Sequence, residues 1–204
     1  MRNYKDIIIF GTVIILFAFL CGCTSSPNKG QETIYEGYQD VEKITIDSTE
    51  LVPERTPLEE KYNNIIFRKI ESVNELDDDY PNALIDCQSS CITQLNEKKR
   101  YKIATVDTDT DLAGKSLYVD MKLLDFRLVN PTFRFFLGGR PSFMDMLVEL
   151  VDVDTNTVVH RKIISTSNNP TAASWSYGAS DRSLPHYLGI FIGEYISKIV
   201  HSSN

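Results

Sequence analysis

Three aspartates alternate in Asp107-Thr108-Asp109-Thr110-Asp111-Leu112, the spacing at which a calcium loop places its first three carboxylates. Such a loop also needs glycine at its sixth position and a bidentate glutamate at its twelfth, and Leu112 and Tyr118 stand there instead. An EF-hand is excluded. The segment reads as a solvated strand exit, with a weak surface calcium site as the alternative. A second acidic group, Glu75 with Asp77, Asp78 and Asp79, is accounted for by the positive end of a helix starting beside it. The three histidines (His160, His186 and His201) are not paired by spacing, and no Gly-x-Ser-x-Gly elbow occurs. Serine, aspartate and histidine are all present, yet nothing in the order of the chain assembles a triad. Arg134 and Arg140 bracket Gly138-Gly139, where exposed backbone N–H groups could hold an anion. No strand, glycine loop and helix surround them, so a nucleotide fingerprint is absent. The competing reading is a plain β-connection with solvated arginines. No cofactor or metal is expected.

The thiols specify more. Arg2 and Lys5 precede an uncharged, strongly apolar run from Ile7 to Leu20. It is shorter than the roughly 20 residues a membrane-spanning helix needs and has the length of a signal-peptide core. Leu20-Cys21-Gly22-Cys23 follows. This tetrapeptide resembles the lipobox of bacterial lipoproteins, a branched apolar residue and two small ones ahead of the cysteine that takes the lipid. The resemblance implies that the Cys23 thiol accepts diacylglycerol and that cleavage falls before it, small neighbours giving the peptidase access. Modification of Cys21 would instead put Phe19 and Leu20 where small side chains are needed. An ordinary N-terminal membrane anchor is the alternative, and the length fits it poorly. At about 0.8 kcal/mol per buried CH₂, the acyl chains hold such a protein on the membrane effectively permanently. Thr24, rather than aspartate, follows Cys23, which by the same resemblance implies the periplasmic face of the outer membrane rather than the inner membrane.

Cys87 and Cys91 are the cysteines left in the interior, four apart. On a helix both project from one face, and a bridge between them needs local distortion. With Leu84 and Leu95 they complete an apolar stripe, so they read as small core residues ahead of a disulfide. A zinc site lacks ligands, since no histidine lies nearby.

The 204 residues are 42% hydrophobic and 24% charged, with a formal net charge of −7, an ordinary globular composition. Loss of residues 1–22 removes Arg2, Lys5 and Asp6 and makes the chain one unit more acidic. That balance excludes nucleic acid as a partner, because phosphate binding draws on clustered cations. Lys98-Lys99-Arg100 is too short a run to reverse it. Attachment to the membrane therefore rests on acyl chains and not on anionic lipid heads.

The chain divides into a lipoprotein signal peptide over 1–22, a lipidated N-terminus and tether over 23–56, and a globular domain over 57–204. Residues 24–33 are polar with proline and glycine, as a tether requires. Ile44-Thr45-Ile46 reads as a short strand within the tether. Tyr62 to Val73 reads as a strand. Asn82 to Lys98 reads as a helix entered through Pro81, with cations in its last turn. Strands are expected over 101–106, 117–129, 144–154 and 158–164, the last two joined by turn residues Asp154-Thr155-Asn156-Thr157. The alternation of 117–129 changes phase between Leu123 and Leu124, as one extra residue in a β-bulge produces, and a second change falls between Leu150 and Val151. Pro185 to Val200 is a final amphipathic helix. Its Gly189 and Gly193 fit close packing onto a sheet better than membrane dimerisation. The order β-α-β-β-β-β-α gives an α+β domain with a single mixed or antiparallel sheet and helices packed on one face, a two-layer sandwich.

With Arg134-Phe135-Phe136-Leu137-Gly138-Gly139 leading into Leu147-Val148-Glu149-Leu150-Val151-Asp152, this chain resembles a family of bacterial envelope lipoproteins known only as a domain of unknown function. More distantly it is similar to the periplasmic α/β domains of the curli secretion channel lipoprotein and of lipoproteins that activate peptidoglycan synthases. Arg140-Pro141-Ser142-Phe143 is bulkier than the first family's pattern, and that family supplies no catalytic residues. The segment from Ser165 to Ser183 is long, polar and carries Trp175, the single tryptophan, with Tyr177. Aromatics on such a loop suit a protein or sugar contact; the bland reading has Trp175 covering the sheet edge. Trp175, Tyr177, Arg134 and Arg140 are the candidate contact residues. The expectation is a non-enzymatic module that binds another envelope protein. The alternative is a cell-wall glycan binder or hydrolase using the 165–183 loop, and a self-assembling homo-oligomer is the third reading.

Overall fold

The computed structural model describes residues 35–47, 57–73, 82–105, 112–129, 141–168 and 179–202. The chain divides into two compact units, Met1–Gln39 and Asp40–Asn204. The described part of the first is a turn closed by the Tyr38 N–H donating to the Tyr35 carbonyl, 3.0 Å. All strands and helices below belong to the second.

Three long antiparallel strands form the centre: β6 (Ser116–Arg127), β7 (Phe143–Asp152) and β8 (Thr157–Ser167). Period-two alternation sends Leu117, Val119, Met121 and Leu123 of β6 into the core with Met144, Met146, Val148 and Leu150 of β7. Opposite Leu123 stands Met146, but the next pair is Asp125 and Asp145. Leu124 is the extra residue, and the phase change in the sequence is this bulge. The second register shift falls where expected, between Leu150 and Val151, but its extra residue is Val159 on β8 rather than one on β7.

Parallel strands extend the sheet on both sides. β3 (Asn64–Phe67) lies between β6 and β5 (Lys102–Thr105), and β4 (Glu71–Ser72) pairs further along β6. The stretch 62–73 is thus not one strand. The chain changes partner at Asn63, where β2 (Lys61–Tyr62) leaves a small second sheet with β9 (His201–Ser202) and β3 joins β6. On the other side, β1 (Lys43–Asp47) runs parallel to β8 from Lys43 opposite Ile163 to Asp47 opposite Ser167. Sequence placed this strand in the tether. It belongs to the sheet because Ile44 and Ile46, 4% and 1% exposed, enter the common core. The main sheet has seven strands, ordered β1-β8-β7-β6-β3-β5 with β4 beside β6. It is mixed, with the helices packed against it.

Helix α1 (Ala83–Lys98) supplies the crossover that parallel β3 and β5 require. A four-residue turn of helix, α2 (Ala179–Arg182), precedes α3 (Leu184–Ile199), whose Pro185 sits in the first turn, where a missing N–H costs nothing. Burying each large apolar side chain of these stripes, such as Leu95, Leu188 or Ile192, contributes roughly 1.5–3 kcal/mol. Gly189 and Gly193 do not meet the sheet. A Cβ on Gly189 would lie 2.1 Å from the Cys87 carbonyl oxygen, and one on Gly193 would lie 2.8 Å from that of Cys91. The glycines therefore let α3 ride on α1, the two running in the same direction. Glycine spacing reveals close backbone approach, but not which element approaches. Cys87 and Cys91 are free and fully buried, core residues as expected. Burial pushes both thiols up, away from the reactive range. Among the described residues no helix is long and apolar enough to cross a membrane.

Candidate functional site

The C-terminal ends of β6, β8 and β1 and the start of β7 lie at one end of the sheet, since Arg127 stands opposite Phe143, Phe143 opposite Ser167, and Ser167 opposite Asp47. The connections 130–140 and 169–178 leave from this end. Both are fastened at their roots by Ser142, which is fully buried. Its Oγ accepts the Val129 N–H at 2.9 Å. Its carbonyl accepts the Asn168 N–H at 3.0 Å. Asn168 then donates from Nδ2 to Oδ1 of buried Asp181 at 3.1 Å, which ties the beginning of the second connection to α2 beyond it. Next to these roots the Arg127 guanidinium stacks over the Phe143 ring, 5.0 Å from its centre.

Just inside this end lies a polar row on the sheet face opposite the helices, buried at Asp145 and Ser165 and more open at its two ends, Asp125 and Thr45. Asp125, Asp145, Ser165 and Thr45 stand opposite one another across β6, β7, β8 and β1. Asp145 is fully buried. Its Oδ2 meets the Lys43 ammonium at 2.5 Å, and Ser165 donates to its Oδ1. Lys43 reaches across β8 to make that contact, so the pair pins the edge strand to the second strand inward. Leu147 and Ile163, the next pair on this face, are 1% and 2% exposed. A carboxylate held by an ammonium and a hydroxyl in such surroundings is an electrostatic anchor. It is poorly placed as a general base, because the lone pairs that would take a proton are already engaged.

Other titratable groups form separate, structural sets. Ser90 on α1 contacts Nδ1 of His186 on α3 at 2.6 Å, a serine–histidine contact by geometry. However, the Ser90 hydroxyl donates to the Asp86 carbonyl at 2.7 Å, so Ser90 accepts from the imidazole. A serine whose proton goes to its own helix is not an activated nucleophile. His160 Nε2 contacts the buried Tyr195 hydroxyl at 2.8 Å. At the other end of β7, Asp152 accepts the backbone N–H groups of Asp154 and Thr155 at 3.0 and 2.9 Å, the Tyr62 hydroxyl at 3.0 Å and the Lys115 ammonium at 3.2 Å. The hydrogen bond from the Thr155 backbone, followed by those from Lys115 and Tyr62, holds the carboxyl down at about 2, against the desolvation that raises it. Tyr62 is pushed up to about 12 by burial and by this carboxylate. Among the described residues no group of three or more histidine, cysteine, aspartate or glutamate side chains could hold a metal.

Of the residues singled out by sequence, Cys23, Arg134, Arg140, Trp175 and Tyr177 lie outside the described residues, as do Asp77 to Asp79 and Asp107 to Asp111. What the structure brings together is the roots of the two segments that carry four of them. Sequence reading passed over Ser142, Asp145, Ser165 and Lys43. One signal was present: Asp145 is the lone charge within Phe143-Met144-Asp145-Met146-Leu147-Val148, and a charge there needs a partner.

Neither a protein-family model nor a curated protein matches the sequence. Among solved structures the chain is similar to a PelC dodecamer from Paraburkholderia phytofirmans, at 12% identity and a TM-score of 0.44 over 68% of this chain and 94% of that one. It is also similar to a DUF330 protein from Xanthomonas campestris, at 9% identity and a TM-score of 0.44 over 76% and 96%. A third is a neuraminyllactose-binding hemagglutinin homologue from Helicobacter pylori, at 13% identity and a TM-score of 0.32 over 72% and 94%.

Proposed function

We propose that this chain is a lipid-anchored protein of the bacterial envelope, held by acyl chains on Cys23 at the periplasmic face of the outer membrane. Its domain, in this reading, binds another envelope protein through the end of the sheet that bears segments 130–140 and 169–178. The observation that supports the binding reading is that Ser142 bonds both Val129, from which segment 130–140 departs, and Asn168, from which segment 169–178 departs. In sequence those segments carry the residues expected to make contact, Arg134, Arg140, Trp175 and Tyr177. Binding groups mounted on loops over a rigid scaffold are a common solution. The titratable sets at Asp145, Asp152 and Ser90 are engaged in structure, which favours binding over catalysis.

Photo-crosslinking from position 175 in intact cells tests the reading. A single envelope protein should be captured, and capture should fall with Trp175→Ala. Recovery of cell-wall glycan instead would favour the polymer-binding alternative, and recovery of nothing beside a wild-type phenotype for Trp175→Ala would sink the binding site. The anchor is tested separately with Cys23→Ser: unchanged processing, mass and membrane fractionation would remove it.

A further inference from the structure

Strand β1 covers only part of β8, pairing with residues 163–167 and leaving 157–162 beside an open groove of about 560 Å³ lined by Asp40 to Glu42. Its attachment is charged at the start: Glu42 pairs with Lys162, and Lys43 with Asp145. The second pair differs from the first in its surroundings. Glu42 is about half exposed, whereas the Asp145 side chain is 0% exposed and that of Lys43 is 19% exposed. Asp145 lies three residues from Ser142, and Ser165, which donates to the same carboxylate, lies three residues from Asn168. Ser142 and Asn168, which flank segments 130–140 and 169–178, are thus each three residues along a strand from Asp145 or its hydroxyl partner Ser165.

We propose that β1 is a conditional strut. Its docking on β8 supplies an ammonium that lets Asp145 stay buried, and the bonds of Val129 and Asn168 to Ser142 at that end of the sheet depend on that docking. With β1 undocked, the carboxylate loses this cation. A buried carboxylate that loses an ammonium is relieved by admitting water. Water entering the space β1 vacates reaches Asp145 three residues from Ser142 and, through Ser165, three residues from Asn168, and it loosens the Val129–Ser142 and Asn168–Ser142 bonds. Docking of β1 and the bonding of Val129 and Asn168 to Ser142 are then two readings of one equilibrium. The consequence for binding rests on the function proposed above. The coupling itself does not, because it is read from amides and needs no partner.

Amide hydrogen exchange on the full chain tests it. Lys43→Ala should speed exchange at Val129 and Asn168 by about 100-fold or more, with Leu188 in α3 changed far less. The double variant Lys43→Met/Asp145→Leu, which removes both charges and keeps their bulk, should bring both amides back to within about tenfold of wild type. Should Lys43→Ala unfold the whole domain, the unmodified chain in low denaturant supplies the reading. There the amides of β1, Val129 and Asn168 should share one opening, distinct from that of α3. Faster exchange confined to β1, a double variant no better than Lys43→Ala, or separate openings for β1 and the loop roots would each overturn the proposal. Crosslinking at position 175 can fail while this coupling holds, and the reverse, so the two readings are separable.

Discussion

Strand β7 carries a buried aspartate near each end, and the partners of the two are different in kind. Asp152 is held mainly by its own hairpin, through the N–H groups of residues two and three positions ahead. Asp145 is held by the Ser165 hydroxyl of the adjacent strand and by the ammonium of a lysine 102 residues away in sequence. The first arrangement is present whenever the turn is formed. The second is complete only while an edge strand from the far side of the sequence is docked. The difference separates a self-contained end of the sheet from one whose order is lent to it by another segment.

The largest test of that contrast is removal of one member of the Lys43–Asp145 pair. Lys43→Ala is expected to lower unfolding free energy by about 3–5 kcal/mol, since it leaves the fully buried Asp145 carboxylate without this ammonium, and Asp145→Ala by somewhat less, because the Lys43 side chain is 19% exposed and can turn to water. Replacing both with Leu and Met should restore most of it. Denaturant titration measures all three. A loss below about 1 kcal/mol in either single variant would mean that the pair is solvated and the loop end no more conditional than the turn end.

Removal of Asp152 should cost less, about 2–3 kcal/mol for Asp152→Ala, because it deprives Tyr62, Lys115 and the turn N–H groups of their acceptor. The damage should stay local. If Asp152→Ala disturbed Asn168 as much as Lys43→Ala does, the two ends would not be independent.

How much of this was legible follows from the same contrast. Features written within a few residues could be read directly. The bulge at Leu124 showed as a change of phase, the turn as Asp154-Thr155-Asn156, and the α1 stripe as Cys87, Cys91 and Leu95 at helical spacing. Features that depend on a remote partner could not. Ile44 to Ile46 looked like a strand, but its place on β8 is fixed by residues 163–167. Gly189 and Gly193 announced a close neighbour without naming α1. Asn64, within the stretch read as one strand, is fully buried, with its amide donating to the Ala113 and Gly114 carbonyls and to Ser116. Asp145 belongs to this second class, which is why the foundation beneath segments 130–140 and 169–178 was not legible.

Acid titration isolates the turn end. The Asp152 carboxyl, at about 2 in the folded chain against an ordinary 3.8, binds its proton less readily folded than unfolded. Its contribution is therefore complete above about pH 4 and is lost as pH falls through the interval down to about 2. The shift corresponds to about 2 kcal/mol. The stability of the wild type minus that of Asp152→Asn should shrink by about that much between pH 5 and pH 2. A constant difference across the range would show that the turn N–H groups do not hold the charge.

The smallest expected effect is the most discriminating about propagation. Asn156 sits in the turn at φ +53°, a left-handed conformation that asparagine tolerates and glycine adopts freely. Asn156→Gly relieves that small strain but gives the unfolded chain more freedom, so the two nearly cancel and the net change should lie within about 0.5 kcal/mol. Asn156→Val has no such compensation, since a β-branched side chain resists positive φ, and should cost about 1–2 kcal/mol. In both variants the Val129 and Asn168 amides should exchange as in the wild type, because seven strand residues and an independently satisfied carboxylate lie between the turn and Asp145. Faster exchange at Asn168 in Asn156→Val would show that strain at the hairpin travels the length of β7, and the loop end would then depend on the turn as well as on β1.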